Sequence, residues 1–176
     1  MKIKKIILLG YMGSGKSAVG SQLNKEINVK HCDLDHYIEK QLQKSVNSIF
    51  KTKGEIYFRK MERHYLEEVL NTNSSLILSI GGGTPCYYDT MRYLNAVQNS
   101  KTIYLNTSIL ELSKRLFEAQ SSRPLLKHLK SLENFQDFVG KHMFERSYFY
   151  NQANVSIKTD QRTISEVSAL IKAELA

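Results

Sequence analysis

The 176-residue chain has only two cysteines, two prolines and no apolar run near membrane-span length. Cys32 and Cys86 stand far apart, with no C-x-x-C pair and no histidine at zinc-like spacing. Two reduced thiols are therefore expected, not a disulfide or a metal site. The histidines at 31, 36, 64, 128 and 142 form no H-x-x-x-H pair on one helix face, which argues against a metallohydrolase. A spanning helix needs about 20 apolar residues. The basic start MKIKKIILL offers only Ile6 to Leu9 before glycines and a lysine interrupt it, so it reads as a first strand and not as a signal peptide. No membrane association is expected, and the cytoplasm is the expected compartment. The scarcity of proline and the lack of low-complexity tracts leave little room for disorder beyond loop tips.

With 41% hydrophobic and 24% charged residues, the composition is that of a globular protein, and the length suits one domain over 1–176. A monomer is expected. The formal charge is +8, from 25 basic against 17 acidic residues. Such a balance suits nucleic acid, anionic lipid or small polyanions. Apart from Lys2, Lys4 and Lys5 the basic residues are scattered, with no interleaved aromatic-basic pattern, so nucleic acid is not the expected partner.

Short apolar runs alternate with stretches of helical period. Strands are expected at 6–9, 29–35, 76–80, 102–106 and 155–158, and helices at 16–27, 35–42, 54–70, 89–98, 108–117, 132–150 and 163–175. This order predicts an α/β fold with a parallel sheet covered on both faces. Some forty residues separate the second and third strands, more than one crossover helix requires, which points to a helical insertion there. The stretch EAQSSRPLLKHLKS at 118–131 is polar, interrupted by Pro124, and reads as a mobile loop.

Residues 10–17 read GYMGSGKS, directly behind the apolar IILL. This satisfies G-x-x-x-x-G-K-[ST] in its required setting, a strand before and a helix after. Glycines let successive N–H groups turn inward, and the helix that follows adds the positive end of its dipole, so the turn is an anion cradle. Lys16 is placed to reach the β- and γ-phosphates and Ser17 to offer a hydroxyl to Mg²⁺. A nucleoside triphosphate is the expected ligand.

Three further stretches narrow the class. In DLD at 33–35, strand alternation would aim Asp33 and Asp35 to one side at the carboxyl end of the second strand, one for the metal and one for an acceptor hydroxyl; an N-cap with a solvated acid is the plainer alternative. In GEIYFRKMERH at 54–64, Glu55, Arg59 and Glu62 share a helix face. Arg59 could grip a carboxylate while Glu62 steadies it, although spacing alone favours a surface ion-pair ladder. In SIGGGTP, three consecutive glycines after a buried strand imply unusual dihedrals or a ligand lying against the backbone.

Together GYMGSGKS, DLD, IFKTKGEIYFRKMER, SIGGG, RPLL and ERSYFY occur in the order and approximate spacing of the shikimate kinases, which the chain resembles from the first strand to about Ala153. The resemblance implies the nucleoside-monophosphate-kinase-like P-loop fold, a five-stranded parallel sheet in order 2-3-1-4-5, with 36–63 as the substrate-binding insertion and 118–131 as the lid. It implies transfer of the γ-phosphoryl group of MgATP to the 3-hydroxyl of shikimate, in the chorismate and aromatic amino acid pathway.

By the same resemblance, Asp35, Lys16 and Arg123 would be catalytic, and Gly13, Ser14, Gly15, Lys16, Ser17, Ala18, Arg115 and Arg123 would bind ATP. Asp35, Arg59, Gly81, Gly82, Gly83 and Arg146 would hold shikimate, with Glu62 in support and Phe50 and Phe58 walling the pocket. Ser17 and Asp33 would serve Mg²⁺. The sequence departs from the family pattern at Ala18, at Leu34, and in ERSYFY, which keeps Arg146 and Tyr150 but not the usual wording around them. A kinase of gluconate or of a nucleoside monophosphate is the nearest alternative. A non-catalytic ATP-binding or nucleic-acid-associated module is the alternative from another class.

Overall fold

The computed structural model describes residues 3–120, 126 and 128–175. Five strands, β1 (Lys5–Leu9), β2 (His31–Asp33), β3 (Leu76–Ser79), β4 (Ser100–Asn106) and β5 (Val155–Lys158), form one parallel sheet in the order β2-β3-β1-β4-β5. Both the parallel pairing expected from the strand pattern and the 2-3-1-4-5 order implied by the resemblance are found. Along β1 the pleat sends alternate side chains to opposite faces. Ile6 and Leu8 join Val19, Leu23, Val167 and Ile171 of α1 (Lys16–Ile27) and α7 (Ile164–Leu175). Ile7 and Leu9 join the larger core on the other face, built with α2 (Leu34–Leu42), α3 (Val46–Thr72), α4 (Thr90–Ala96), α5 (Ile109–Glu118) and α6 (Leu132–Tyr150). Two apolar faces per strand explain why β1 and β3 read as continuous hydrophobic runs.

Several boundaries move, each for a local reason. β2 stops at Asp33, not 35, because the Asp33 side chain accepts from the N–H groups of Asp35 and His36 and so starts α2. Asp35 therefore lies in a helix's first turn, and strand alternation is not what aims it. α3 begins eight residues before the expected 54, capped by Ser45, and bends at Gly54 (φ +79°), a value only glycine adopts cheaply. The segment between β2 and β3 is two helices whose Ile38, Ile49 and Phe58 belong to the main core. In the 118–131 stretch, Leu126 and Leu129 are buried, and the Gln120 amide donates to both their carbonyls, so this part is anchored and not merely polar. Among the described residues no helix is long and apolar enough to cross a membrane, and Cys32 and Cys86 are free thiols.

Candidate active site

At the carboxyl ends of β1, β2 and β3, where ligands of such sheets gather, a cleft of about 350 Å³ is lined by Met12, Gly13 and Gly15 to Ala18 of the phosphate loop, by Asp33 and Asp35, and by Ile80 to Gly82. A larger hollow of about 610 Å³ opens at the opposite edge, against Ile3, Val29 and Leu175. Its lining mixes aliphatic residues with Lys4, Ser74, Ser75 and Lys172 but, among the described residues, has no carboxylate and no glycine-rich loop, so the smaller cleft is the candidate site.

The loop has the dihedrals that its glycines permit. Gly13 and Gly15 sit at φ +84° and +93°, and Gly15 caps α1 without any side-chain bond. The first N–H groups of α1 thus face the cleft uncapped, with the dipole's positive end behind them. Ser14 Oγ is buried in the loop without a partner among the described residues. The Lys16 ammonium donates to the carbonyls of Gly10 (2.7 Å) and Tyr11 (3.0 Å), which holds it at the loop's centre.

Ser17 Oγ donates to Asp33 Oδ2 over 2.7 Å, while Asp33 Oδ1 caps α2. One carboxylate therefore fixes a helix with one oxygen and presents the other beside a hydroxyl. Two hard oxygens next to a phosphate cradle fit Mg²⁺, which takes few protein ligands and completes its shell with water and phosphate oxygens. Arg115, held by Glu111 at 2.8 Å, reaches the Gly13 carbonyl from α5 at 3.3 Å.

Asp35 lies near Glu62, Asp33 and Lys16. Burial first, then the charges of Glu62 and Asp33, push its carboxyl group up to about 6, against the pull of Lys16. Such a carboxylate is poised to accept a proton near neutrality.

The triple-glycine turn joins this cleft to α3. None of Gly81, Gly82 and Gly83 has a positive φ, so unusual dihedrals are not the reason for them. Close approach is. A Cβ on Gly81 would stand 3.2 Å from Asp35 Oδ1 and 3.3 Å from Glu62 Oε1, and one on Gly83 would stand 2.7 Å from Arg59 Nη2. On Gly82 it would only reach ordinary contact with the backbone of Gly10 and Met12, 3.4 Å from each. The turn is a floor against which Asp35, Glu62 and Arg59 lie directly.

Arg59, Glu62 and their neighbours are not a surface ladder. Glu62 is 3% exposed and accepts from Arg59 Nη1 at 2.7 Å and from Thr84 at 2.6 Å. Burial works against the Arg59 charge, but Glu62 outweighs it and holds the guanidinium above its ordinary value. Aromatic rings of Phe50, Phe58 and Tyr87 surround it, Tyr87 at 4.0 Å, and the Tyr87 hydroxyl donates to Glu55. Arg146 approaches from α6, 5.4 Å over the Tyr11 ring; burial pushes the Cys86 thiol up, and the charges of Arg146 and Arg59 both act on it in the other direction. Thr84 and Tyr87 were not found by sequence reasoning. Thr84 directly follows GGG and could have been suspected, whereas Tyr87 follows a short 3-10 turn (Thr84–Cys86) that has no periodicity to read. Arg123, expected from the 118–131 loop, lies outside the described residues.

Comparison with known proteins decides the family. The family model described as shikimate kinase matches residues 12–176. The chain belongs to the shikimate kinase family. A curated shikimate kinase of Flavobacterium psychrophilum is 41% identical over 161 residues, covering 92% of each chain. The crystal structure of a shikimate kinase from Bacteroides thetaiotaomicron superposes with a TM-score of 0.89 at 35% identity, covering 97% of both chains. One from Acinetobacter baumannii, in complex with shikimate, gives 0.84 at 28% identity over 98% of this chain and 93% of that one. A shikimate kinase is a phosphotransferase with a hydroxyl acceptor and ATP as co-substrate, and the cleft has the phosphate cradle which that chemistry needs.

Proposed function

We propose that this protein transfers the γ-phosphoryl group of MgATP to the 3-hydroxyl of shikimate. The observation that carries the reading is the shared floor: Asp35 and Glu62 meet at Gly81 and Arg59 meets Gly83, so a hydroxyl-orienting acid and a carboxylate-binding cation flank one turn beside the phosphate loop. Phosphoryl transfer needs little covalent help from the protein, so positioning and electrostatics supply the rate.

In this reading Gly13 to Ala18 bind the triphosphate, Lys16 meets its β- and γ-oxygens, and Arg115 borders the nucleotide. Ser17 and Asp33 hold Mg²⁺, which when bound offsets charge on the phosphates. Asp35 orients the shikimate hydroxyl and takes its proton. Arg59, held by Glu62, and Arg146 fix the shikimate carboxylate, with Gly81 to Gly83 beneath the ring and Phe50 and Phe58 at its side. Arg123 is assigned to the lid, 118–131, and the substrate-binding region to 36–63, within one kinase domain. A kinase of neutral sugars would gain nothing from two arginines directed at one carboxylate, which disfavours gluconate.

The test is a coupled assay of ADP release with purified protein and magnesium. ADP release that depends on shikimate, and is not matched by gluconate or nucleoside monophosphates, is expected. ADP release indifferent to shikimate would overturn the reading.

A further inference from the structure

Phe138, His142, Arg146 and Tyr150 recur every four residues of α6 and so lie along one face. Each meets a different part of the site. Phe138 packs edge-on to both His128 of the 118–131 segment (6.0 Å between ring centroids) and His142 (4.4 Å). His142 Nδ1 lies 2.6 Å from the hydroxyl of Tyr11, the second residue of GYMGSGKS. Arg146 rests over the Tyr11 ring, and Tyr150 donates to the Gly82 carbonyl at 2.6 Å.

Tyr11 is only 1% exposed, so its hydroxyl has no water to exchange His142 for. Burial pushes the phenol up to about 12 despite Arg146, and burial together with Arg146 pulls the His142 imidazole down, so both are neutral at pH 7. The Tyr11 carbonyl also accepts from Lys16, the residue a bound phosphate would compete for. The rigid Tyr11 ring thus joins the loop backbone to His142, one turn from Arg146.

We propose that His142 is a positioning residue: through Tyr11 it fastens α6 to the phosphate loop, so that filling the loop with nucleotide and setting Arg146 for the acid substrate are energetically coupled. The coupling is reciprocal by linkage, each ligand raising affinity for the other by one common factor. The inference rests on the shikimate kinase reading for the identity of the second ligand. A bond that served only to hold the fold would change stability and leave this factor alone.

The experiment is calorimetric titration of shikimate into the protein with and without saturating MgADP, which gives the ratio of the two dissociation constants. Tyr11→Phe removes one oxygen and keeps the ring beneath Arg146; His142→Leu removes the partner; His142→Gln restores a side chain able to bond the phenol. The wild-type ratio is expected at about fivefold or more. It should fall to within about twofold of one in Tyr11→Phe and His142→Leu, fall no further in the double variant, and recover in part in His142→Gln. An unchanged ratio in Tyr11→Phe and His142→Leu, even with a lowered melting temperature, overturns the inference, as does a wild-type ratio of one. Absence of any shikimate binding overturns the functional reading and the inference with it, so the two failures are told apart.

Discussion

Arg59 donates through Nη1 to Glu62 Oε2 across 2.7 Å, and at 11% and 3% exposure neither side chain has much water to replace its partner. A buried pair of this kind is worth less for stability than for the orientation it imposes, but removing one member strands the other charge. Glu62→Ala should therefore destabilise the fold by about 3–5 kcal/mol, read as a melting temperature lower by roughly 6–20 °C. Arg59→Lys keeps the charge and loses the planar fork, so the KM for shikimate should rise about ten- to hundredfold while that for ATP stays within about twofold. Equal effects on both KM values would remove Arg59 from the acceptor side of the cleft.

Gly83 gives a separate handle on the same guanidinium. Its backbone is right-handed helical (φ −88°, ψ −23°), so alanine is tolerated conformationally, but the added methyl would stand 2.7 Å from Arg59 Nη2. Gly83→Ala should raise the KM for shikimate several-fold and shift the melting temperature little. Gly140→Ala, in α6 with nothing within 4 Å of the new Cβ, is the control; it should stabilise by about 0.5–1 kcal/mol and leave both KM values alone. Similar kinetics in the two variants would show that the close approach at Gly83 has no consequence for the site.

The sheet was readable because a strand covered on both faces writes an unbroken apolar run, as IILL and LILS do, and because the parallel order follows from helices alternating with such runs. The phosphate loop was readable because its backbone demands glycine at fixed positions. Asp33 and Asp35 were correctly brought to one cleft for the wrong local reason, since capping by Asp33 ends the strand two residues before alternation would. The Glu55, Arg59 and Glu62 spacing was ambiguous because periodicity reports which residues share a face and says nothing of what covers it. The cover, Thr84 and Tyr87, comes from an irregular turn some twenty to thirty residues further along. The tie between Tyr11 and His142 spans 131 residues, and no local pattern encodes a contact of that range.

Ser17 and Asp33 make the proposed metal requirement testable without changing the nucleotide cradle. Ser17→Ala removes one hard oxygen and leaves the loop N–H groups and Lys16 intact. The magnesium concentration for half-maximal activity should rise, and turnover at saturating magnesium should fall less than at limiting magnesium. Nucleotide binding measured in chelator should stay within about twofold of wild type, because the N–H cradle carries it. An unchanged magnesium dependence would assign the hydroxyl to capping Asp33 alone.

In the proposed reaction Asp35 links catalysis to stability with opposite signs. Its folded value of about 6 lies above the ordinary carboxyl range, raised by burial and by Glu62 and Asp33. The folded chain therefore holds this proton more tightly than the unfolded chain does. The group's destabilising contribution is fully present above about pH 6 and vanishes below about pH 4. Asp35→Asn keeps the shape and cannot ionise, so at pH 8 it should be more stable than wild type by roughly 1–3 kcal/mol, or about 2–8 °C in melting temperature. Near pH 4 the two should melt together. In the proposed reaction the ionised acid is needed beside the acceptor hydroxyl, so turnover of Asp35→Asn should fall by about 10²–10⁴ above about pH 6, and the gap should narrow below it as the wild-type carboxylate takes up its proton. Wild-type turnover in Asp35→Asn would remove the carboxylate from proton transfer, and a variant no more stable at pH 8 would mean that its charge is not held against the cost of burial.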